Sequence, residues 1–527
     1  MEKRLLLGVE AIAQGAIDSG LSGVYAYPGT PSTEITEYIQ LSKQAIDRNI
    51  HREWSSNEKT AMEAALGMSY AGKRALVCMK HVGMNVAADC FMNAAVTGAN
   101  GGLVIVAADD PSMHSSQNEQ DSRMYGKFAQ IPVLEPSSQQ EAYDMTRYGF
   151  ALSETVGSPV MLRVTTRLAH SRSGVRTGEV LPENKIKLPE NPQQFILLPG
   201  IARKLYKLLL AKQADFKEAS ANSPFNLYKE GTDKSLGIIA CGIGYNYVME
   251  CFGGRPPYPV LKISQYPLPR KQMKQILGEC ERILVVEEGY PVIEELLKGY
   301  PGDKRITGRL DGTLPRDGEL NPDLLAQAFG LPVEEGASVP EVVAPRPPAL
   351  CTGCSHRDVY NALNEVIRSY ETGRVFSDIG CYTLGALPPF RAIHTCVDMG
   401  ASITMAKGAS DAGIFPAVAV IGDSTFTHSG MTGLLDAVNE KTPVTIIISD
   451  NESTSMTGGQ DSAAFGRVES ICAGIGVDPA HIRVLNPVPK NHEELCRMIR
   501  EEIEYPGVSV IIPRRVCIQK ARRDKKA

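Results

Sequence analysis

The chain has 527 residues, 22% of them charged, and a nearly balanced net charge of −5, which gives no basis for a nucleic-acid or membrane-surface partner. The N-terminal apolar run is too short for a signal peptide, and no later run reaches the roughly 18 apolar residues of a membrane span. Its 12 cysteines favour reduced thiols or cofactor ligands over a disulfide framework. We therefore expect a cytoplasmic protein, long enough for three domains.

The first third of the chain predicts a doubly wound α/β sheet. Residues 5–18 repeat in a helical period, and the strand predicted at 24–27 ends in a turn rich in hydroxyl side chains. Such a turn at the carboxyl end of a strand suits a ligand with a carboxylate, so Thr30 is a candidate contact; helix capping explains it equally well. The sheet is complete by about residue 190, and its other strands are predicted at 74–80, 102–108 and 159–165.

Glu58 lies near the start of a helix of small residues. A glutamate in this position is usually a favourable partner of the helix dipole or a cap. If this glutamate is buried, however, its carboxyl pKa is raised into a range suited to proton transfer. Together with the metal motif described below, this makes Glu58 the candidate catalytic residue.

The middle of the chain predicts a second α/β unit without recognisable chemistry. Residues 190–230 predict a linker with one helix, and strands follow at 236–241 and 283–286. The pair Gly242 and Gly244 lacks the third glycine of a dinucleotide fingerprint, so a tight turn is favoured. A proline-rich segment at 332–350 predicts an extended linker.

Four cysteines of the last third are candidate cofactor ligands: Cys351, Cys354, Cys381 and Cys517. The Cys-x-x-Cys pair alone is ambiguous between zinc, a redox dithiol and a cluster. The 27 positions between Cys354 and Cys381 fit no compact zinc finger, whereas ligands of a [4Fe–4S] cluster lie far apart in many chains. We interpret the remaining cysteines as small core residues: Cys78, Cys90, Cys241, Cys251, Cys280, Cys396, Cys472 and Cys496.

The residues from 415 to 460 predict a buried βαβ unit with polar strand ends. Ligands of open α/β sheets bind at the carboxyl ends of strands. Mg²⁺ prefers oxygen ligands, which the Asp423 carboxylate, the Asn451 side-chain carbonyl and the Ser453 backbone carbonyl would supply. Gly422 would let the backbone approach a phosphate. Ordinary helix capping by strand-end residues is the alternative.

These strand ends resemble the Gly-Asp-Gly…Asn motif of thiamine-diphosphate enzymes, with Ser424 in place of the commoner last glycine. Over nearly its whole length the chain resembles the alpha-subunit family of indolepyruvate:ferredoxin oxidoreductases, within the 2-oxoacid:ferredoxin oxidoreductase superfamily. The motifs that carry the resemblance are Tyr27-Pro-Gly-Thr-Pro-Ser, Asn57-Glu58-Lys59, Met79-Lys80-His81-Val82-Gly83, Asp109-Asp110-Pro111, Ser115-Ser-Gln-Asn-Glu-Gln-Asp121, Cys-x-Gly-Cys-x-His-Arg, Gly380-Cys-Tyr-Thr-Leu-Gly, Gly422-Asp-Ser-Thr-Phe and Met456-Thr-Gly.

The resemblance implies an α/β fold of three doubly wound domains of the thiamine-diphosphate-enzyme type. These are a pyrimidine-binding domain at 1–190, a transketolase C-terminal-like domain at 191–331 and, after the linker at 332–350, a diphosphate-binding domain at 351–527. It also implies that Thr30 contacts substrate and Glu58 holds the aminopyrimidine. The implied ligands of one [4Fe–4S] cluster are Cys351, Cys354, Cys381 and Cys517, and we further assign to cofactor binding Gly400, Ser402, Gly422, Asp423, Ser424, Asn451, Ser453 and Met456.

The implied activity is the oxidative decarboxylation of an aryl 2-oxoacid with coenzyme A, giving acyl-CoA, CO₂ and reduced ferredoxin. Thiamine diphosphate, Mg²⁺ and the cluster are the expected cofactors, and a smaller beta subunit with a gamma-type domain is the expected partner in a hetero-oligomer. Two alternatives stay open: a non-oxidative thiamine-dependent lyase, and a cofactor-binding subunit that is inactive without its partner. The ferredoxin-like module of the family does not follow Lys520, and Gly459 stands where a histidine is usual.

Overall fold

The computed structural model describes residues 3–27, 29–55, 57–114, 116, 118–298, 327, 336, 338–344, 348–397, 399–455, 460–462 and 464–524. One compact unit comprises Met1–Pro291 and Leu350–Ala527, and a second comprises Val292–Ala349. The second unit contains the helix Val292–Lys298. Of the predicted linker at 332–350, residues 332–335, 337 and 345–347 lie outside the described residues.

The strands, in chain order, are β1 (Lys3–Leu7), β2 (Gly23–Ala26), β3 (Ala75–Lys80), β4 (Leu103–Asp109), β5 (Val133–Leu134), β6 (Val160–Thr165), β7 (Arg172–Arg176), β8 (Leu227–Lys229), β9 (Gly237–Cys241), β10 (Val260–Ile263), β11 (Gln265–Tyr266), β12 (Ile283–Val286), β13 (Arg374–Ser377), β14 (Ala417–Gly422), β15 (Val444–Ser449), β16 (Ser453–Thr454), β17 (Gln460–Asp461), β18 (Ile482–Leu485) and β19 (Val508–Pro513).

The helices are α1 (Gly8–Asp18), α2 (Thr33–Leu41), α3 (Lys43–Asp47), α4 (Glu58–Tyr70), α5 (His81–Val86), α6 (Ala88–Thr97), α7 (Arg123–Ala129), α8 (Gln139–Val156), α9 (Thr166–His170), α10 (Pro199–Ala221), α11 (Gly244–Cys251), α12 (Arg270–Glu279), α13 (Val292–Lys298), α14 (Ser355–Ile367), α15 (Ala401–Asp411), α16 (Asp423–Thr425), α17 (Met431–Glu440), α18 (Val468–Ile475), α19 (His492–Ile503) and α20 (Ile518–Asp524).

The strands form three main sheets, each with a parallel centre. The first has the order β11–β5–β6–β4–β3–β2, and only its edge strand β11 runs antiparallel. The second has the order β12–β9–β10–β8, with β8 antiparallel. The third, β13–β14–β15–β19–β18, is parallel throughout. Buried apolar strands of this kind need helices on both faces of the sheet, so the α/β prediction is confirmed.

Two predictions about the chain are wrong in detail. The helix predicted at 5–18 begins only at Gly8, because residues 3–7 form β1, which pairs antiparallel with β7. A short run of leucines satisfies a helical and an extended pattern equally. The interpretation of the remaining cysteines as core residues fails for Cys251, which is exposed, and for Cys280, which is partly exposed. The predicted domain boundaries stay predictions. Strand β11 of the first sheet comes after the first predicted boundary, at residue 190.

The first and third sheets share one hydrophobic core, and helices α4 and α15 meet inside it. Their backbones are in direct contact at two glycines. A Cβ added to Gly408 would lie 2.3 Å from the carbonyl oxygen of Ala64, and one added to Gly67 would lie 2.6 Å from that of Met405. Because no side chain fits between the helices at these points, glycine is required there.

A buried polar cluster lies beside this crossing. Lys407 on α15 is fully buried, and its Nζ lies 3.1 Å from Asp411 Oδ2 and 2.8 Å from Glu440 Oε2. The same ammonium lies over the ring of Tyr25, 5.7 Å from its centroid. Burial lowers the pKa of the adjacent His51 to about 4. A buried cation with paired carboxylates thus joins residues of both sheets.

Gly408→Ala is expected to lower the free energy of unfolding by about 1–3 kcal/mol, because the added methyl group forces the two helix backbones apart. Gly474 on α18 is the matched control, since a Cβ added there meets nothing within 4 Å. Gly474→Ala should leave the stability unchanged or raise it by about 0.5–1 kcal/mol. Denaturant unfolding of both variants is the measurement, and equal effects would contradict the close contact.

Acid should destabilise the protein through its buried neutral histidines. Burial lowers the pKa of His394 from 6.5 to about 4, and the Nδ1 atom of its ring accepts a hydrogen bond from the Val375 N–H at 3.0 Å. The unfolded chain binds this proton below about pH 6.5, whereas the folded chain binds it only near pH 4. Stability is therefore complete above pH 6.5 and is lost as the pH falls toward 4.

His394→Asn removes this titration while its side-chain oxygen keeps an acceptor near the Val375 N–H. Between pH 7.5 and 4, the free energy of unfolding should fall less steeply with decreasing pH in the variant. The two slopes should differ by the equivalent of at most one bound proton. An unchanged slope would show that His394 titrates normally in the folded protein.

Candidate active site

The residues predicted to bind a metal ion lie at the ends of two neighbouring strands. Strands β14 and β15 are parallel, with Gly422 opposite Ser449, so Asp423 and Asn451 leave the sheet at the same edge. Asp423 is buried, and its Oδ2 has no hydrogen-bond partner among the described residues. A buried carboxylate oxygen without a partner is costly, so this site fits a cation.

The electrostatics of Asp423 agree with that fit. Burial raises the pKa of Asp423 to about 6, against a hydrogen bond from the Ser462 side chain and with the help of the charge of Asp450. On the neighbouring strand end, Asn451 Oδ1 accepts the Ser453 backbone N–H at 3.1 Å. A turn therefore holds Asn451 and Ser453 in place before any ligand binds.

The turn at Gly400 precedes α15 and packs against the segment that follows Asp423. Gly400 has a φ of +94°, and a Cβ there would lie 2.5 Å from Ser429 Cβ, so only glycine fits. Ser402, predicted to bind the cofactor, donates its hydroxyl to Asp378 Oδ2 at 2.5 Å. Tyr382 also donates to Asp378, at its Oδ1 atom. Ser402 thus holds Asp378, and its contact with a cofactor stays a prediction.

Asp378 is a site residue that the sequence interpretation missed. It is fully buried directly after β13, and Tyr382 lies between it and Gly422. A Cβ added to Gly422 would lie 2.6 Å from Cε1 of Tyr382. The signal in the sequence was the polar pair Ser377-Asp378 at the end of a strand, the same pattern that marked Asp423.

Glu58 is the first residue of α4, and the side chain of Asn57 caps this helix by accepting the Thr60 N–H at 2.7 Å. Glu58 is half-buried rather than fully buried as predicted. Its side chain lies over Gly83, where an added Cβ would fall 2.8 Å from Glu58 Oε1. The small residue at position 83 leaves the carboxylate room beside α5.

Lys59, the residue after Glu58, connects the start of α4 to the turn at Gly400. Its Nζ donates to the Met399 carbonyl at 3.1 Å and also pairs with Glu63. The start of α4 therefore lies beside the turn at Gly400, although the two are more than 300 positions apart in the chain. That Glu58 and the strand-end residues of the third sheet form one site stays a prediction.

Thr30 lies in the turn after β2, and its side chain is exposed. The neighbouring hydroxyls are used within the turn: Ser32 Oγ donates to the Gly29 carbonyl at 2.7 Å, and Thr33 Oγ1 accepts the Gly29 N–H at 2.9 Å. Gly29 packs on Lys80, at the end of β3. The turn is thus fixed while Thr30 is open to solvent, and its substrate contact stays a prediction.

The structure brings the four candidate cluster ligands together. The pKa of Cys381 is raised to about 11, chiefly by burial and in addition by the charges of Cys354, Cys517 and Cys351. Burial raises the pKa of Cys354 too, with contributions from Cys351 and Cys517. Thiols that influence one another in this way lie in one group, although they come from three separate segments of the chain.

Cys517 differs from Cys354 and Cys381 because its thiolate is stabilised. Burial would raise the pKa of Cys517, but hydrogen bonds from the Ser455 and Ser453 hydroxyls and from the backbone N–H groups of Lys520 and Gln519 lower it overall. Its backbone N–H donates to the carbonyl of Asn451 at 3.1 Å. The loop predicted to hold the metal ion is therefore bonded directly to a predicted cluster ligand.

A second feature missed by the sequence interpretation is a buried charge network beneath the site. Arg163, the single charged residue of β6, donates to Asp109 at 2.6 Å, to Glu135 at 2.5 Å and to the Glu288 carbonyl at 2.8 Å. Arg123 bonds Asp121 and Glu287. Asp109 and Asp121, which belong to motifs that carry the resemblance, are thus paired with buried arginines. An arginine inside an apolar strand was the available signal.

Met456 and Gly459 lie outside the described residues, as do Pro28, Ser115 and Gln117 of the quoted motifs. Ser424 is partly exposed at the start of the short helix α16. Within the described part of the chain, no helix combines the length and the apolar character needed to cross a membrane.

Comparison with known proteins identifies the class of the site. Residues 14–200 match the family described as pyruvate flavodoxin/ferredoxin oxidoreductase, thiamine diphosphate-binding. Residues 378–512 match the C-terminal binding domain of thiamine pyrophosphate enzymes. In fold, the chain is similar to a putative thiamin diphosphate-dependent enzyme from Mycobacterium smegmatis, with a TM-score of 0.50, 16% identity and coverage of 97% of this chain and 99% of that one. The chain is thus built of thiamine-diphosphate-enzyme domains.

Full-length relatives narrow the class to a family. The chain is 40% identical to the indolepyruvate oxidoreductase subunit IorA of Pyrococcus abyssi, over 98% of this chain and 86% of that protein. It is 39% identical to the subunit of the same name from Archaeoglobus fulgidus, with the same coverage. The chain belongs to the family of indolepyruvate oxidoreductase IorA subunits.

Proposed function

We propose that this chain is the thiamine-diphosphate-binding subunit of an oxidoreductase that decarboxylates an aryl 2-oxoacid, such as indolepyruvate, and passes the electrons to ferredoxin through a [4Fe–4S] cluster. The observation that carries the proposal is the hydrogen bond from the Cys517 N–H to the Asn451 carbonyl. It joins the predicted electron exit to the predicted metal-binding loop. A lyase without an electron acceptor has no use for four cysteines at that place.

Mg²⁺ would be held by Asp423, Asn451 and Ser453. Asp423 offers a buried oxygen without a partner, and the other two residues follow the adjacent strand. This set of oxygen ligands, completed by phosphate oxygens, is the kind that Mg²⁺ prefers. Glycine is needed at positions 422 and 400 because Tyr382 and Ser429 fill the space that a side chain would take. We propose that the backbones of both glycines approach the diphosphate.

Thiamine diphosphate, when bound, supplies the carbon nucleophile that adds to the keto group and allows CO₂ to leave. Glu58 would hold a proton at its carboxyl group and exchange it with the aminopyrimidine ring, from the position fixed by the Asn57 cap and the Lys59 contact. Thr30, exposed on its turn, would bind the substrate carboxylate. The names of the relatives support indolepyruvate as the substrate.

The cluster would be held by Cys351, Cys354, Cys381 and Cys517, and it would accept single electrons. Tyr382 and the loop from Asn451 to Ser455 would lie between the cluster and the bound thiamine diphosphate. Coenzyme A would take the acyl group, and a smaller beta subunit with a gamma-type domain would complete the enzyme in the cytoplasm.

Glu58→Gln should reduce turnover of indolepyruvate by the assembled enzyme about 10²–10⁴-fold, the usual range for a proton-transfer group. Thiamine diphosphate should still bind, since the amide keeps the shape of the side chain. The exposed Glu53 a few residues earlier provides the control, and Glu53→Gln should retain full activity. A Glu58→Gln enzyme within about twofold of wild type would refute the catalytic role.

Anaerobically purified protein should contain about four irons and four acid-labile sulfides per chain. Cys351→Ser should lose them, because the cluster needs four thiolates. Cys251→Ser should retain them, since Cys251 is an exposed cysteine at the end of α11, outside the group of four. Iron-free protein that still converts the 2-oxoacid to an aldehyde after reconstitution would favour the lyase instead.

A further inference from the structure

A cysteine, a histidine and a glutamate converge on the surface between helices α14 and α19. His492 and Cys496 are one turn apart on α19, and Glu365 faces them from α14. The Nε2 atom of His492 lies 2.9 Å from Glu365 Oε2 and 3.6 Å from Cys496 Sγ. All three ligand atoms lie within 4.8 Å of one another.

Hydrogen bonds can satisfy these three side chains without a metal ion. With its proton on Nε2, His492 donates to Glu365, while the Cys496 thiol has the Ala362 carbonyl as an acceptor at 3.9 Å. The three atoms nevertheless converge on one point, and a cation placed there would replace these hydrogen bonds, because all three can act as donors of electron pairs.

The sulfur–nitrogen spacing matches the edge of a tetrahedral zinc site, whereas His492 Nε2 and Glu365 Oε2, now 2.9 Å apart, would have to separate by about 0.5 Å as zinc binds. Zn–S bonds of about 2.3 Å and Zn–N bonds of about 2.0–2.1 Å place sulfur and nitrogen about 3.5 Å apart at a tetrahedral angle. The observed separation of Cys496 Sγ and His492 Nε2 is 3.6 Å. The third ligand is already oriented, because the Arg500 guanidinium contacts the other oxygen of Glu365 at 3.4 Å.

We propose that Glu365, His492 and Cys496 form a binding site for Zn²⁺, with water as the fourth ligand on the exposed side. The Cys496 side chain is buried, whereas the side chains of His492 and Glu365 are 35% and 54% exposed. Binding releases the thiol proton to solvent as the Zn–S bond forms. The site is independent of the proposed oxidoreductase activity.

The site is distinct from the group of four cysteines. Glu365 lies 11 residues after Cys354 along α14, a rise of about 16 Å. A zinc ion here would clip α14, which begins after Cys354, to α19, which leads through β19 toward Cys517. It would therefore restrain the two segments that carry Cys354 and Cys517.

The test is zinc per chain in the full-length protein after equilibration with Zn²⁺, measured by mass spectrometry beside iron. Wild type should carry one zinc that Cys496→Ala and His492→Ala lose, with iron content unchanged. Cys472→Ala, which removes another buried cysteine, on α18, is the matched control and should keep the zinc. Zinc can also enter the group of four cysteines, so the test is repeated in the Cys351→Ser variant. Adding Cys496→Ala to that variant should still lower its zinc content.

Cobalt provides a second measurement that does not depend on metal content alone. Co²⁺ added to the Cys351→Ser variant should produce a thiolate-to-cobalt absorption band that the additional change Cys496→Ala weakens and the additional change Cys472→Ala leaves unchanged. Glu365→Ala, at an exposed position where folding is not at risk, should weaken Co²⁺ binding. Equal zinc and equal cobalt spectra in wild type and Cys496→Ala would overturn the proposal.

Discussion

The contact between helices α4 and α15 is the constraint on which the rest of this structure depends. Gly67 and Gly408 allow the two backbones to touch, so the first and third sheets share one core. The same contact brings Glu58, at the start of α4, near the turn at Gly400 before α15. A larger side chain at either glycine would separate the two halves of the site as well as opening the core.

The two halves have different physical roles. The third sheet supplies strand-end oxygens, and the unpartnered Oδ2 of buried Asp423 stores a desolvation cost that a cation would relieve. The first sheet supplies a half-buried carboxylate with space around it, on a helix that the Asn57 side chain caps. The proposed binding of a charged cofactor and the proposed transfer of a proton thus fall on separate elements. The shared core, the Lys59–Met399 hydrogen bond and the Lys407 cluster hold these elements together.

The four cysteines add a third part, connected to the second by main-chain hydrogen bonding. Cys517 is bonded to Asn451 through the backbone, and hydroxyl groups of Ser453 and Ser455 stabilise its thiolate. A ligand loop and a thiolate that share hydrogen bonds cannot move independently. This coupling suits an enzyme whose electrons leave the site of decarboxylation over a short path, and it has no counterpart in the needs of a simple lyase.

The α/β class and most of the long buried strands could be predicted from sequence, because a buried strand followed by a polar turn is a local pattern. Asp423 and Asn451 belong to such patterns, and Glu58 was found from the helix that it begins. Strands β5, β8, β10, β11 and β18 were not predicted. Asp378 and Arg163 were missed because their importance comes from partners distant in the chain. Long-range packing was needed to join Lys59 to Met399, Cys517 to Asn451 and Glu365 to Cys496, since no local period records which elements lie side by side.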